Sequence, residues 1–241
     1  MNAAVIMETM RRHFTSIGFI TYLILIAMTG LFVATFNTPA SIWPALVTIL
    51  SVITGAAIIG PEFSTALLQL IVSRPIRRSV YLLSRVTGVL ACVAVAATVG
   101  VTSEIVARLL LGSAAVPWLP LASAYANSLL VSLLAISLLT MLGSLTSSYF
   151  NVAIYASVQV ALSAVETLLG LLRTRPNGLS EFLHRHQQLE NGLIALDDLL
   201  FPAPPPHPDT GWVLRVAATA AGALVLACIA FERREVPYGG E

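Results

Sequence analysis

Residues 80–111 read VYLLSRVTGVLACVAVAATVGVTSEIVARLLL, an apolar run whose charges are Arg85, Glu104 and Arg108 alone. A helix needs about 20 mostly apolar residues to cross the roughly 30 Å hydrocarbon core of a bilayer. This run exceeds that length, and residues 82–103 form its membrane part. Arg85 stands near the start, where its guanidinium head can snorkel to the interface. Glu104 and Arg108, four residues apart, fall on the next exposed turn, where they can pair.

Five further runs have the same character on either side of it. Residues 17–36 follow Arg11, Arg12 and His13; their length, with no clean cleavage site after them, favours a retained helix over a signal peptide. Residues 45–59 end at Gly60-Pro61, because proline disrupts a helix interior. Residues 121–145 and 149–172 are joined by the tight polar link Thr146-Ser147-Ser148. Residues 212–231 stop at Glu232-Arg233-Arg234-Glu235. The pattern predicts one all-α integral membrane domain over residues 1–241. It has six transmembrane helices, a short cytoplasmic helix after the second and an extracytoplasmic helical insertion before the last.

Composition agrees. Of 241 residues, 57% are hydrophobic and 10% are charged, against about 25% charged in a soluble domain. Polar groups this sparse cannot cover a globular surface, so lipid must. All thirteen basic residues are arginine. Without lysine the chain cannot form a P-loop, whose Lys reaches the nucleotide phosphates, nor a Schiff base; it is not expected to be an enzyme. Cys92 and Cys228 fall inside apolar runs and read as buried small hydrophobes. His184 and His186 flank Arg185 at a spacing that does not share one helix face. No catalytic, cofactor or metal residues are assigned, and no nucleic-acid partner is expected.

Six spans put both termini on one side. That side carries eight arginines (11, 12, 74, 77, 78, 85, 233 and 234) against five on the other (108, 173, 175, 185 and 215). The positive-inside rule makes it cytoplasmic. The chain is therefore placed in the cell (inner or plasma) membrane with cytoplasmic termini.

Two segments outside the spans stand out. In residues 61–78, Pro61 suits a first helical position and Glu62 the positive end of a helix dipole. Phe63, Leu67, Leu70 and Ile71 recur on one helical face, with Ser64, Thr65 and Gln69 elsewhere. Ser73, Arg74 and Pro75 end this helix. Arg77, Arg78 and Tyr81 lead into the next span. Residues 173–211, on the outer side, are long for a loop. They read as a helix from Ser180 to Glu190 broken at Asn191-Gly192, a second apolar stretch from Leu193 to Phe201, and a stiff run around Pro202, Pro204 and Pro208.

Glu62, Leu67, Leu70, Ser73, Arg74, Pro75, Arg77, Arg78 and Tyr81 spell E-x4-L-x2-L-x2-S-R-P-x-R-R-x2-Y. Set between two membrane helices, this run resembles the cytoplasmic signature of ABC-2 type exporter permeases. Ser64-Thr65-Ala66-Leu67 stands where Gly-Thr-Leu is common, and Arg85 where Lys is often seen. The resemblance implies a permease subunit of an ATP-driven exporter that forms its pathway as a dimer, here a homodimer. Two cytoplasmic ATPase subunits would use ATP and Mg. The helix at residues 61–78 would be the coupling helix, with Glu62, Phe63, Thr65, Leu67, Leu70, Ser73, Arg74, Arg77 and Arg78 at or near the ATPase. Residues 1–16 would be an elbow segment on the inner leaflet, and residues 146–150 a smaller cytoplasmic contact.

Rival readings remain. Residues 61–73 also suit a plain lipid-anchored interfacial helix, and the arginines suit topology signals. A scaffold subunit shares the same periodicity. An ion-driven carrier would want an ionisable residue near the centre of a span. Tyr125, Asn127 and Ser128 in the fourth span and Asn151, Tyr155 and Gln159 in the fifth are the candidate pathway-lining residues; hydrogen bonding between helices explains them equally. Residues 173–211 are a candidate surface for an extracytoplasmic partner protein.

Overall fold

The structure, a computed structural model, describes residues 1–36, 42–58, 77–111, 116–146, 150–173, 187–205 and 208–233. These residues form eight α-helices and no strand: α1 (Ala3–Phe14), α2 (Ile17–Phe36), α3 (Trp43–Ala56), α4 (Arg78–Leu110), α5 (Trp118–Leu145), α6 (Phe150–Arg173), α7 (Gln187–Leu200) and α8 (Thr210–Arg233). Residues 61–73, expected to be a helix, lie wholly outside the described residues; of the residues assigned to the 61–78 segment, Arg77 and Arg78 are described.

Three helices, α4, α5 and α8, are long and apolar enough to cross a membrane. α4 has 33 residues and no proline to stop it; at about 1.5 Å per residue it is roughly 50 Å long. α2 passes the same test jointly with α1, from which it is bent by 72°. α3 and the first part of α6 are shorter apolar helices. Local signals set the ends. Pro44 lies in the first turn of α3, where its missing N–H costs nothing. Asp209 caps α8, its Oδ1 accepting from the Trp212 N–H at 2.8 Å.

α5 is the central helix, packed most extensively against α8 and α3, while α2 lies along α4. Two apolar clusters fill the interior. One joins Phe19, Ile26, Trp43, Leu50, Leu82 and Val89 of α2, α3 and α4. The other joins Leu134, Leu139, Tyr155, Trp212 and Val216 of α5, α6 and α8. Unlike a water-soluble protein, the bundle is apolar on its outside as well as in its interior. Ile24, Met28 and Phe32 of α2 and Leu214, Leu226 and Ile229 of α8 face outward, whereas Ser51, Thr54, Ser137 and Thr140 are buried. Those buried hydroxyls donate to carbonyls of their own helices, as Ser137 does to Leu133 at 2.6 Å and Thr140 to Ile136 at 2.7 Å. Such internal satisfaction is what a hydrocarbon solvent demands.

Glycines set the closest helix approaches. A Cβ on Gly30 would meet the Ser103 hydroxyl and come within 2.8 Å of the Glu104 backbone nitrogen, and one on Gly100 would lie 2.8 Å from the Trp43 ring. Gly30 thus lets α2 approach the backbone of α4, while Gly100 leaves room for the Trp43 ring.

Three sequence expectations are corrected. Glu104 and Arg108 are not on an exposed turn: they are 1% and 7% exposed, because α2 and α3 cover that face of α4. Arg85 does not reach outward to the interface but is 9% exposed inside the bundle, because acceptors on α1 and after α3 hold it there. Asn191-Gly192 does not break a helix, since α7 runs through both. Each costs at most about 1 kcal/mol in a helix interior, too little to outweigh anchorage of the helix end by Leu200 and Phe201 against the second apolar cluster.

Candidate functional site

The ends of the segment carrying the family-like signature can be built from three elements. α3 delivers the chain to Ile58, whose N–H closes a last turn on the Gly55 carbonyl at 3.3 Å. The chain returns at Arg77, which is exposed, and Arg78, which is half-buried, at the N-terminus of α4. Cations at the positive end of a helix dipole are mildly unfavourable, so helix stability is not what places them there.

α1 is the third element. Asn2 caps it, its Oδ1 accepting from the Ala4 N–H at 3.0 Å, and Arg11, Arg12 and His13 complement the dipole in its last turn. It crosses the start of α4. The Asn2 N–H donates to Ser84 Oγ at 2.8 Å, and a Cβ on Gly88 would lie 2.8 Å from Thr9 Cβ. Phe14 meets Phe19 of α2 edge-on at 5.3 Å, which holds the bend. Ala4, Met7, Met10 and Phe14 form an open apolar groove on another side, edged by Glu8 and Arg11. Exposed Met7 beside the half-buried Met10 and Phe14 suits a helix lying in the headgroup–acyl boundary.

Charge is organised around this helix. Glu8 accepts from Arg12 Nε at 3.0 Å and lies 3.3 Å from Arg11 Nε. The hydrogen bond from Arg12, with both arginine charges nearby, holds the Glu8 carboxyl below its ordinary range. Burial, with the Arg85 charge adding to it, pushes His13 below the ordinary histidine value. Arg85 donates from Nη1 to Thr9 Oγ1 and from Nη2 to the Ile58 carbonyl, both at 3.3 Å.

A second polar cluster lies toward the other end of α4. Arg108 donates to Glu104 Oε1 from Nε at 3.1 Å and from Nη2 at 2.9 Å. Trp43 Nε1 donates to Glu104 Oε2 at 3.0 Å. The spacing of Glu104 and Arg108 is legible in the sequence; the role of Trp43 is not.

The six suspected pathway residues have unlike settings. Tyr125 is half-buried, its hydroxyl 3.4 Å from that of Thr98. Asn127 and Ser128 are buried, Ser128 donating to the Tyr125 carbonyl. Asn151 is 1% exposed and donates to the Ala56 carbonyl at 3.3 Å, fastening the start of α6 to the end of α3. Tyr155 is buried against Phe201, with ring centroids 5.1 Å apart. Gln159 is exposed. The segment after α7 thus folds back to the first turns of α6, far along that helix from Arg173. In the sequence Phe201 reads as part of an outer loop; the apolar residues of α7 are the signal that it packs.

No protein-family model matches the chain, and no curated protein matches it in sequence. The assignment of residues to function therefore rests on the residues themselves.

Proposed function

We propose that this chain is the permease subunit of an ATP-driven exporter. α2, α3, α4, α5, α6 and α8 are its six spans, and both termini are cytoplasmic. It pairs with a second copy and takes its power from separate ATPase subunits docked at residues 61–78. The observation that carries this reading is the run from Glu62 to Tyr81, set between α3 and α4 as the signature of ABC-2 type permeases is set between two spans. Two features support it: the apolar outer surface of α2 and α8, and α1, bent 72° from α2 as an interfacial helix would be.

Reversing a charge or burying one in the docking face tests the reading. Glu62→Arg, or Phe63→Asp combined with Leu67→Asp, is expected to release the ATPase while the permease stays folded and inserted. An ATPase that stays bound with unchanged turnover would refute the assignment of residues 61–78.

One observation favours an ion-driven carrier as a second reading: Glu104 is a buried acid within an apolar helix. Its carboxylate is engaged by Arg108 and Trp43, which suits a fixed charge pair better than a proton carrier. Glu104→Gln in proteoliposomes separates the two, since only a carrier would lose proton-dependent transport with assembly intact.

A further inference from the structure

Arg85 is the residue through which three elements meet. It enters at the second turn of α4, where an apolar run would otherwise continue, and it is buried. Its two terminal nitrogens point to different elements: Nη1 to Thr9 Oγ1 of α1, and Nη2 to the carbonyl of Ile58 just beyond α3, both at 3.3 Å. Each acceptor has a reason to be there. The last carbonyls of a helix have no donor within it and carry the negative end of its dipole, so the end of α3 offers a ready site for a cation. The Thr9 hydroxyl spends its proton on the Val5 carbonyl at 2.7 Å, and its lone pairs are left to accept.

The neighbours of Arg85 seat the same helix: Ser84 receives the Asn2 N–H, and Gly88 leaves room for Thr9. Residues 84, 85 and 88 thus share one face of α4 on which α1 rests. A planar guanidinium reaches two acceptors in fixed directions, which the point charge of a lysine does not.

We propose that Arg85 is a positioning residue. It fixes the point where the chain leaves α3 toward residues 59–76 and fastens that point to α1, so that α1, the end of α3 and the start of α4 move as one unit. The transport consequence rests on the proposed reading of residues 61–78 as the coupling element. With that element docked on an ATPase, Arg85 passes its displacement to α1 and α4 together.

The test separates the clamp from the transport reading. Spin labels at Met7→Cys on α1 and Ile53→Cys on α3, both exposed positions, are placed in a Cys92→Ala, Cys228→Ala background. The full chain is reconstituted in lipid nanodiscs with its companion ATPase. Wild type is expected to give a narrow distance distribution. Arg85→Met broadens it, Arg85→Lys broadens it less, and Thr9→Val, which keeps the guanidinium, broadens it least. In sealed proteoliposomes carrying the same variants and the ATPase, Arg85→Met is expected to lower transport per ATP hydrolysed by about tenfold, the equilibrium equivalent of one hydrogen bond to a charged group, with the ATPase still bound. A distance distribution in Arg85→Met matching wild type would overturn the clamp. Broadening without any loss of transport per ATP would overturn its transmitting role. If no ATPase accompanies the chain, the coupling reading fails, and the distance measurement alone decides whether Arg85 is the clamp.

Discussion

α4 carries a buried arginine toward each end, and the two are held differently. Arg108 meets a carboxylate one turn back on its own helix, and that carboxylate is held in turn by Trp43 of α3. Arg85 meets a hydroxyl on α1 and a backbone carbonyl beyond α3. Toward the Leu110 end, opposite charges sit side by side, and the tryptophan locks them to the neighbouring helix. Toward the Arg78 end, one cation holds dipoles of two other elements and joins them to each other. The first arrangement suits an end of the bundle that stays fixed, the second an end that shifts as a unit.

The largest effect that would break this contrast is at Glu104. Glu104→Ala removes the carboxylate that pairs with the buried Arg108 and is expected to destabilise the fold by about 3–5 kcal/mol, the usual cost of breaking a buried pair from one side. Adding Arg108→Met should recover most of the loss. Unfolding in detergent or bicelles measures both, and a single variant as stable as wild type would mean that the pair does not hold that end. Trp43→Phe keeps the ring against Gly100 but removes the Nε1–H, and should cost about 1–3 kcal/mol for the carboxylate oxygen it leaves without that donor.

At the other end the effects are smaller and local. Gly88→Val forces a side chain against Thr9 and should cost about 1–3 kcal/mol as overpacking does. It should also raise the hydrogen exchange of α1 while leaving α5 and α8 unchanged; a uniform loss of protection would argue against α1 as a separately seated element. The smallest effect is that of pH. Burial lowers the pKa of His13, so the folded chain binds fewer protons than the unfolded one as pH falls below the ordinary histidine value of 6.5. Docking of α1 should weaken in that range and hold above it. His13 faces Arg85 of α4 and Phe19 of α2, and Glu8 with Arg11 and Arg12 lies on its own helix. Glu8 acts in the same direction but lower, its contribution being lost only below about its ordinary value of 4.5. Hydrogen exchange of α1 at pH 7.5 and 5.5 reads the effect, and His13→Gln should abolish most of it.

The same contrast marks what the sequence could disclose. Apolar runs and their breaks place α2, α3, α4, α5, α6 and α8, because length and composition are local properties. Pairing of Glu104 with Arg108 follows from their spacing. Its burial does not, because the covering residue, Trp43, is 61 positions away. Arg85 looked like an interfacial snorkeller because its acceptors, 76 and 27 positions distant, leave no mark near it. The seat of α1 on α4 leaves no mark in the sequence, because its buried face centres on Thr9, a polar residue set against Gly88. Phe201 reads as part of an outer loop, and only its packing on Tyr155 shows that the chain doubles back. A charge inside an apolar run was the one signal available for both arginines.

The central claim is that this chain is a permease powered by another chain. Gentle-detergent purification from its native membrane, followed by identification of what accompanies it and an assay of vanadate-sensitive ATP hydrolysis, tests that most directly. The expected result is a stoichiometric companion carrying a P-loop, with ATPase activity that Glu62→Arg removes from the purified complex. A homo-oligomer that purifies alone and hydrolyses no nucleotide would contradict it.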